Sequence, residues 1–106
     1  MEIVDIGYIK TDNKERLRNL ISNIVTDFEL DVSDVFAWFK EDNTGDIQVY
    51  CSDWAIGALE EAEMIIKDNL DAGEYDIEDL KMLNELIDIC IKAKENGYKT
   101  LLINEN

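Results

Sequence analysis

Apolar positions along the chain change their period several times, and each change marks an element. Residues 3–9 hold Ile3, Val4, Ile6, Tyr8 and Ile9, a β-rich run too short for a helix, and predict one strand ending at Lys10-Thr11-Asp12. Leu17, Leu20, Ile21, Ile24, Val25 and Phe28 then follow i, i+3, i+4, i+7, i+8, i+11, the pattern of an amphipathic helix. Asp12 and Glu15 stand before it at capping-box spacing, with Arg16, Arg18 and Asn23 on its outer face. Residues 35–39 (Val-Phe-Ala-Trp-Phe) and 47–51 (Ile-Gln-Val-Tyr-Cys) are β-favouring and predict a hairpin, since Asn43 and Gly45 between them suit the positive φ of a turn. Ser52-Asp53 predicts the cap of a second helix, running to Asn69 or Leu70 with Trp54, Ala58, Ala62, Ile65 and Ile66 on its inner face.

After the turn at 71–75, Asp76 is the expected N-cap of a third helix reaching Glu95, with Asp79 favouring its positive end. Ile77, Leu80, Leu83, Ile87, Cys90 and Ile91 keep helical spacing, and Met82, Leu86 and Ile89 widen the apolar arc, so this helix is expected to pack on more than one side. Asn96-Gly97 stops it, and residues 98–103 predict a last strand. The order β-α-β-β-α-α-β matches a ferredoxin-like plan: an α+β fold with a four-stranded, mainly antiparallel sheet and helices packed on one face. Right-handed crossovers would put the first and third strands in the centre and the second and fourth at the edges. No proline, repeat or low-complexity linker divides the chain, so residues 1–106 are expected to form a single acidic α+β domain.

Composition adds the charge. The chain has 106 residues, is 46% hydrophobic, and sets 25 Asp and Glu against 10 Lys and Arg for a formal net charge of -15. Apolar periodicity at that hydrophobic fraction argues for a folded chain that tolerates self-repulsion. The start, MEIVDIGYIK, carries no basic leader region and no apolar run is long enough to span a bilayer, so the expectation is a soluble cytoplasmic protein. Cys51 and Cys90 form no CxxC or disulfide pattern and are expected to be buried reduced thiols. A charge of this sign repels nucleic acid and anionic membrane and attracts basic protein surfaces.

Catalytic signals are sparse. The chain has no His, which removes the commonest general base and metal ligand, and its five glycines form no phosphate-cradling motif. Asp42-Asn-Thr-Gly-Asp46 lacks the glycine placement of a calcium loop and reads as a plain turn. Carboxylate chemistry with Mg²⁺ has no spacing motif behind it. The expectation is therefore no enzyme, with no catalytic, cofactor or metal residues.

What stands out is acidic density. Between Glu60 and Asp88 lie Glu60, Glu61, Glu63, Asp68, Asp71, Glu74, Asp76, Glu78, Asp79, Glu85 and Asp88 against Lys67 and Lys81, a local net of -9. Apolar inner faces force these acids onto the outer faces of two helices and their joining turn. A folded chain of this mass exposes roughly 6,000 Å², so -15 averages about one charge per 400 Å². Duplex DNA carries roughly one per 100 Å². If the -9 segment covers about a quarter of the surface, its density reaches roughly one per 170 Å², within a factor of two of the duplex. A second surface is expected at Phe36 and Trp38, which share one face of a strand that is apolar on both sides and sits at a sheet edge.

Three functional readings follow. The first is an inhibitory or sequestering protein that presents Glu60, Glu61, Glu63, Asp68, Asp71, Glu74, Asp76, Glu78 and Asp79 to a basic, nucleic-acid-binding groove, in the manner of a DNA mimic or a phage anti-defence protein. The second is an immunity protein or antitoxin against a cationic toxin, with Trp38 or Tyr75 as aromatic anchors. The third is a small scaffold or regulatory domain that forms a homodimer through the Phe36/Trp38 strand.

Overall fold

The computed structural model of the chain describes residues 2–5, 7–27 and 47–105. Its first departure from expectation is at the N-terminus, where the single strand expected over residues 3–9 is a hairpin of β1 (Glu2–Asp5) and β2 (Tyr8–Thr11), paired antiparallel. Gly7, at φ 119°, reverses the chain in a backbone region that side chains rarely adopt. Its carbonyl accepts the Leu102 N–H at 3.0 Å, and a Cβ placed there would meet the Tyr98 ring at 3.0 Å. Gly7→Ala is expected to cost about 1–3 kcal/mol, read by chemical denaturation, because backbone strain and a ring displacement act together.

Helix α1 (Lys14–Asp27) is capped one residue later than the spacing suggests. Asn13, not Asp12, accepts the Arg16 N–H on its side chain at 3.1 Å and the Leu17 N–H on its carbonyl at 3.1 Å. The chain then forms β3 (Ile47–Tyr50), α2 (Asp53–Asp68), a 3₁₀ turn (Leu70–Ala72), α3 (Ile77–Glu95) and β4 (Thr100–Glu105). Residues 35–39, with Phe36 and Trp38, and the turn at 42–46 lie outside the described residues.

The ferredoxin-like plan is overturned by the pairing. Strand order is β1-β2-β4-β3, with β2 and β4 parallel (Ile9 opposite Ile103) and β3 and β4 antiparallel (Val49 opposite Leu101). The last strand is therefore interior instead of at an edge, and the first strand is at an edge instead of the centre. Nor is the architecture a sheet with helical dressing: helices of 14, 16 and 19 residues outweigh strands of four to six. One contribution is local, while the choice of partner strand is tertiary. Splitting the first apolar run at Gly7 creates an extra short strand, and β2 rather than the whole run then pairs with the C-terminal strand.

The core gathers Leu17, Ile21 and Ile24 of α1, Leu59 of α2, Leu83 and Leu86 of α3, and Leu101 and Ile103 of β4, all fully buried. Helix α2 is rotated from the expected face. Ala62 and Ile66 are buried as expected, together with Ala55, Ile56 and Leu59, while Trp54 and Ile65 are 69% and 40% exposed. Two lines of equal span run side by side on this helix, and the one containing Leu59 is apolar throughout whereas Glu61 interrupts the other. On α3 the wide arc is real: Leu80, Leu83, Leu86, Ile87, Ile89, Cys90 and Ala93 are all buried, with α2 packed alongside. Ile77, expected inside, is 53% exposed at the helix start. Among the described residues no helix is long and apolar enough to cross a membrane.

Candidate interaction surface

Helix α2 starts at Ser52, whose hydroxyl accepts the Ala55 N–H at 3.1 Å, and ends at Asn69. The 3₁₀ turn follows, closed by Gly73 at φ 81°, and α3 opens at Asp76. A reciprocal capping box forms there: Asp76 Oδ1 accepts the Asp79 N–H at 2.8 Å, and Asp79 Oδ2 accepts the Asp76 N–H at 3.2 Å. Both carboxylates also meet the positive end of the helix.

These two acids are not freely displayed. Arg16, near the start of α1, donates from Nη2 to Asp76 Oδ1 at 3.1 Å and to Asp79 Oδ1 at 3.2 Å. The hydrogen bond to Asp79 is the main cause that raises the Arg16 guanidinium above its ordinary value. At the other end of α1, Tyr75 donates its hydroxyl to Asp27 Oδ2 at 2.6 Å. The α2–α3 turn is thus pinned to both ends of α1, and Tyr75 is a tether where an exposed aromatic anchor was expected. Glu78 pairs with Lys81 at 3.6 Å, and Glu63 is half-buried and engaged within the chain. On the outer stripe of α3, Glu85 and Asp88 lie between Lys81 and Lys92.

That leaves Glu60, Glu61 and Asp68 on the outer arc of α2 and Asp71 and Glu74 on the turn, all exposed and with no ion pair among the described residues. Of the nine acids proposed from sequence, five keep a free carboxylate role. What sequence reasoning missed is Arg16. Its outward position was legible, but its partners lie 60 and 63 residues away, and only packing of α1 on the start of α3 brings them together.

The capping carboxylate carries a pH prediction. Asp76 is held below its ordinary carboxyl value, chiefly by the backbone hydrogen bond from Asp79. A lowered folded-state value stabilises above the unfolded value and is lost as pH falls through the folded one, so this contribution disappears below about pH 4. Tyr75 is pushed up, first by burial and then by its bond to Asp27. A raised value stabilises below the unfolded tyrosine value and is lost as pH rises above about 10. Measured as unfolding midpoint against pH, Asp76→Ala should differ from the parent at neutral pH and converge with it in acid. Tyr75→Phe should remove part of the alkaline decline.

Two depressions mark the described surface. One, of about 280 Å³, runs along α1 beside Asn13, Arg16, Asn19, Asn23 and Asp79. The other, of about 620 Å³, lies between the β3–α2 junction and the end of α3, lined by Tyr50, Cys51, Ser52, Lys94, Tyr98 and Lys99 among others. Lys94 there is ion-paired with Asp53. Cys51 and Cys90 are both free and buried, and the neighbouring Cys51 thiol together with burial pushes the Cys90 thiol up. Among the described residues no group of three or more Cys, Asp and Glu is arranged to hold a metal ion. Comparison with protein-family models, curated proteins and solved structures finds no match to this chain.

Proposed function

We propose that this chain is a non-enzymatic acidic binding protein that inhibits or sequesters a partner by presenting carboxylates to a basic, nucleic-acid-binding groove. The observation that carries the reading is the set Glu60, Glu61, Asp68, Asp71 and Glu74, exposed on one helix and the turn that follows it. Across the full accessible surface of 6263 Å², a net charge of -15 averages about one charge per 400 Å², too sparse to imitate a duplex unless it is concentrated. Concentration on α2 and its turn raises the local density above that average. The capping box and its bridges to α1 hold the turn in place, so the acids are preorganised.

The chemistry fits a phage anti-defence protein or another antagonist of a nucleic-acid-binding enzyme, since such a groove is the cationic surface an acidic helix face complements. The test is capture from host lysate on immobilised protein at low salt, followed by elution with duplex DNA and, separately, with high salt. Basic proteins released by both eluents are the expected result. An empty low-salt capture, or captured proteins that duplex DNA fails to displace, overturns the reading.

A further inference from the structure

The acidic face of α2 is also an apolar face. Trp54, Met64 and Ile65 are 69%, 65% and 40% exposed, and they are three of the five large apolar side chains standing exposed among the described residues. Trp54, Ala58, Glu61 and Ile65 follow i, i+4, i+7, i+11, a stripe about 16 Å long at 1.5 Å per residue. Gly57 and Asp68 run beside it, with Met64 and Glu60 beyond them. Among the described residues, no atom beyond the helix's own local backbone and the flanking residues lies within 4 Å of the place a Cβ on Gly57 would take, so the helix backbone is open to close approach.

We infer that this stripe is a docking surface for a cationic amphipathic helix of a partner protein, with Trp54 as the main anchor at its N-terminal end. The inference rests on the charge-driven reading above and names the partner's chemistry at the same site. Charge decides the occupant. A purely apolar partner would bury Glu61 and Asp68 without counter-charge, which is costly. A second copy of this chain would set Glu60, Glu61 and Asp68 against their own kind, and nucleic acid is repelled outright. A helix with an apolar stripe flanked by Lys or Arg satisfies both components, and the stripe's spacing and length are those of helix-on-helix packing. The carboxylates then set the rate of encounter and the aromatic anchor sets the lifetime of the complex.

The test uses two synthetic probes on the full chain: an amphipathic helical peptide with a leucine stripe flanked by lysines, and an oligolysine of equal charge. Trp54→Ala is expected to weaken the leucine/lysine peptide about tenfold or more and leave oligolysine unchanged. Glu60→Gln/Glu61→Gln should weaken both probes. If Trp54→Ala and Met64→Ala leave the peptide's affinity intact, the docking inference falls while the charge reading stands. If neither probe binds at low salt, the charge reading falls and takes the inference with it. Two further results overturn it: a dimer in sedimentation that Trp54→Ala dissolves, which gives the face to a second copy, or a loss of stability in Trp54→Ala as large as in Leu83→Ala, which means the chain's own residues already cover it.

Discussion

Replacing Glu60, Glu61, Asp68, Asp71 and Glu74 together by their amides is expected to slow association with the captured basic partner about tenfold or more at low ionic strength. Electrostatic steering raises association rates by roughly 10–10³ when fields are concentrated, and these are the exposed acids of α2 and its turn that form no ion pair among the described residues. At about 0.15 M salt the Debye length is about 8 Å, so the difference between parent and variant should shrink as salt rises. The same variant should unfold at a higher temperature than the parent at low salt. Removing five like charges from a chain of net charge -15 relieves self-repulsion, and none of the five carboxylates makes a side-chain hydrogen bond or ion pair among the described residues. Stopped-flow association and thermal unfolding therefore move in opposite functional directions, which a merely disruptive set of substitutions would not produce.

Leu83→Ala is expected to cost about 2–5 kcal/mol, because Leu83 is fully buried and its truncation leaves a cavity between α3 and its neighbours. For a domain of this size, total stability is of order 5–15 kcal/mol, so one substitution removes a large share of it. Ile77→Ala, on the same sequence line but 53% exposed, should stay within about 0.5 kcal/mol. Denaturant midpoints for the two variants measure which part of the wide α3 arc is interior. Equal costs would mean that Ile77 is packed in solution, and the placement of the helix start would be wrong.

Much of the local structure is legible in the chain. Ser52, Asp76 and Gly97 announce two N-caps and a stop because each uses a side chain or φ value that short-range geometry demands. The long apolar period of α1 and the breadth of the α3 arc are legible for the same reason: helical spacing is a local property. Two features are not. Gly7 sits inside a β-rich run, and periodicity alone does not distinguish a strand containing a glycine from two strands turning on one. On α2, both the Trp54/Ala58/Ile65 line and the Ala55/Leu59/Ala62/Ile66 line satisfy a helix, and the choice between them belongs to what the helix packs against.

The acidic character itself was determined by sequence: -15 is a count, and its concentration between residues 60 and 88 needs no coordinates. Which of those acids are available was decided by tertiary structure. Arg16 reaches Asp76 and Asp79 across 60 and 63 residues, Tyr75 reaches Asp27 across 48, and these long-range bonds divert part of the cluster into holding the turn. The order of the sheet, with β4 parallel to β2 and inside β3, was likewise a tertiary matter. Strand propensity and helix period depend on neighbours a few residues away, whereas pairing partners, buried faces and ion pairs depend on which distant segments the packed core brings into contact.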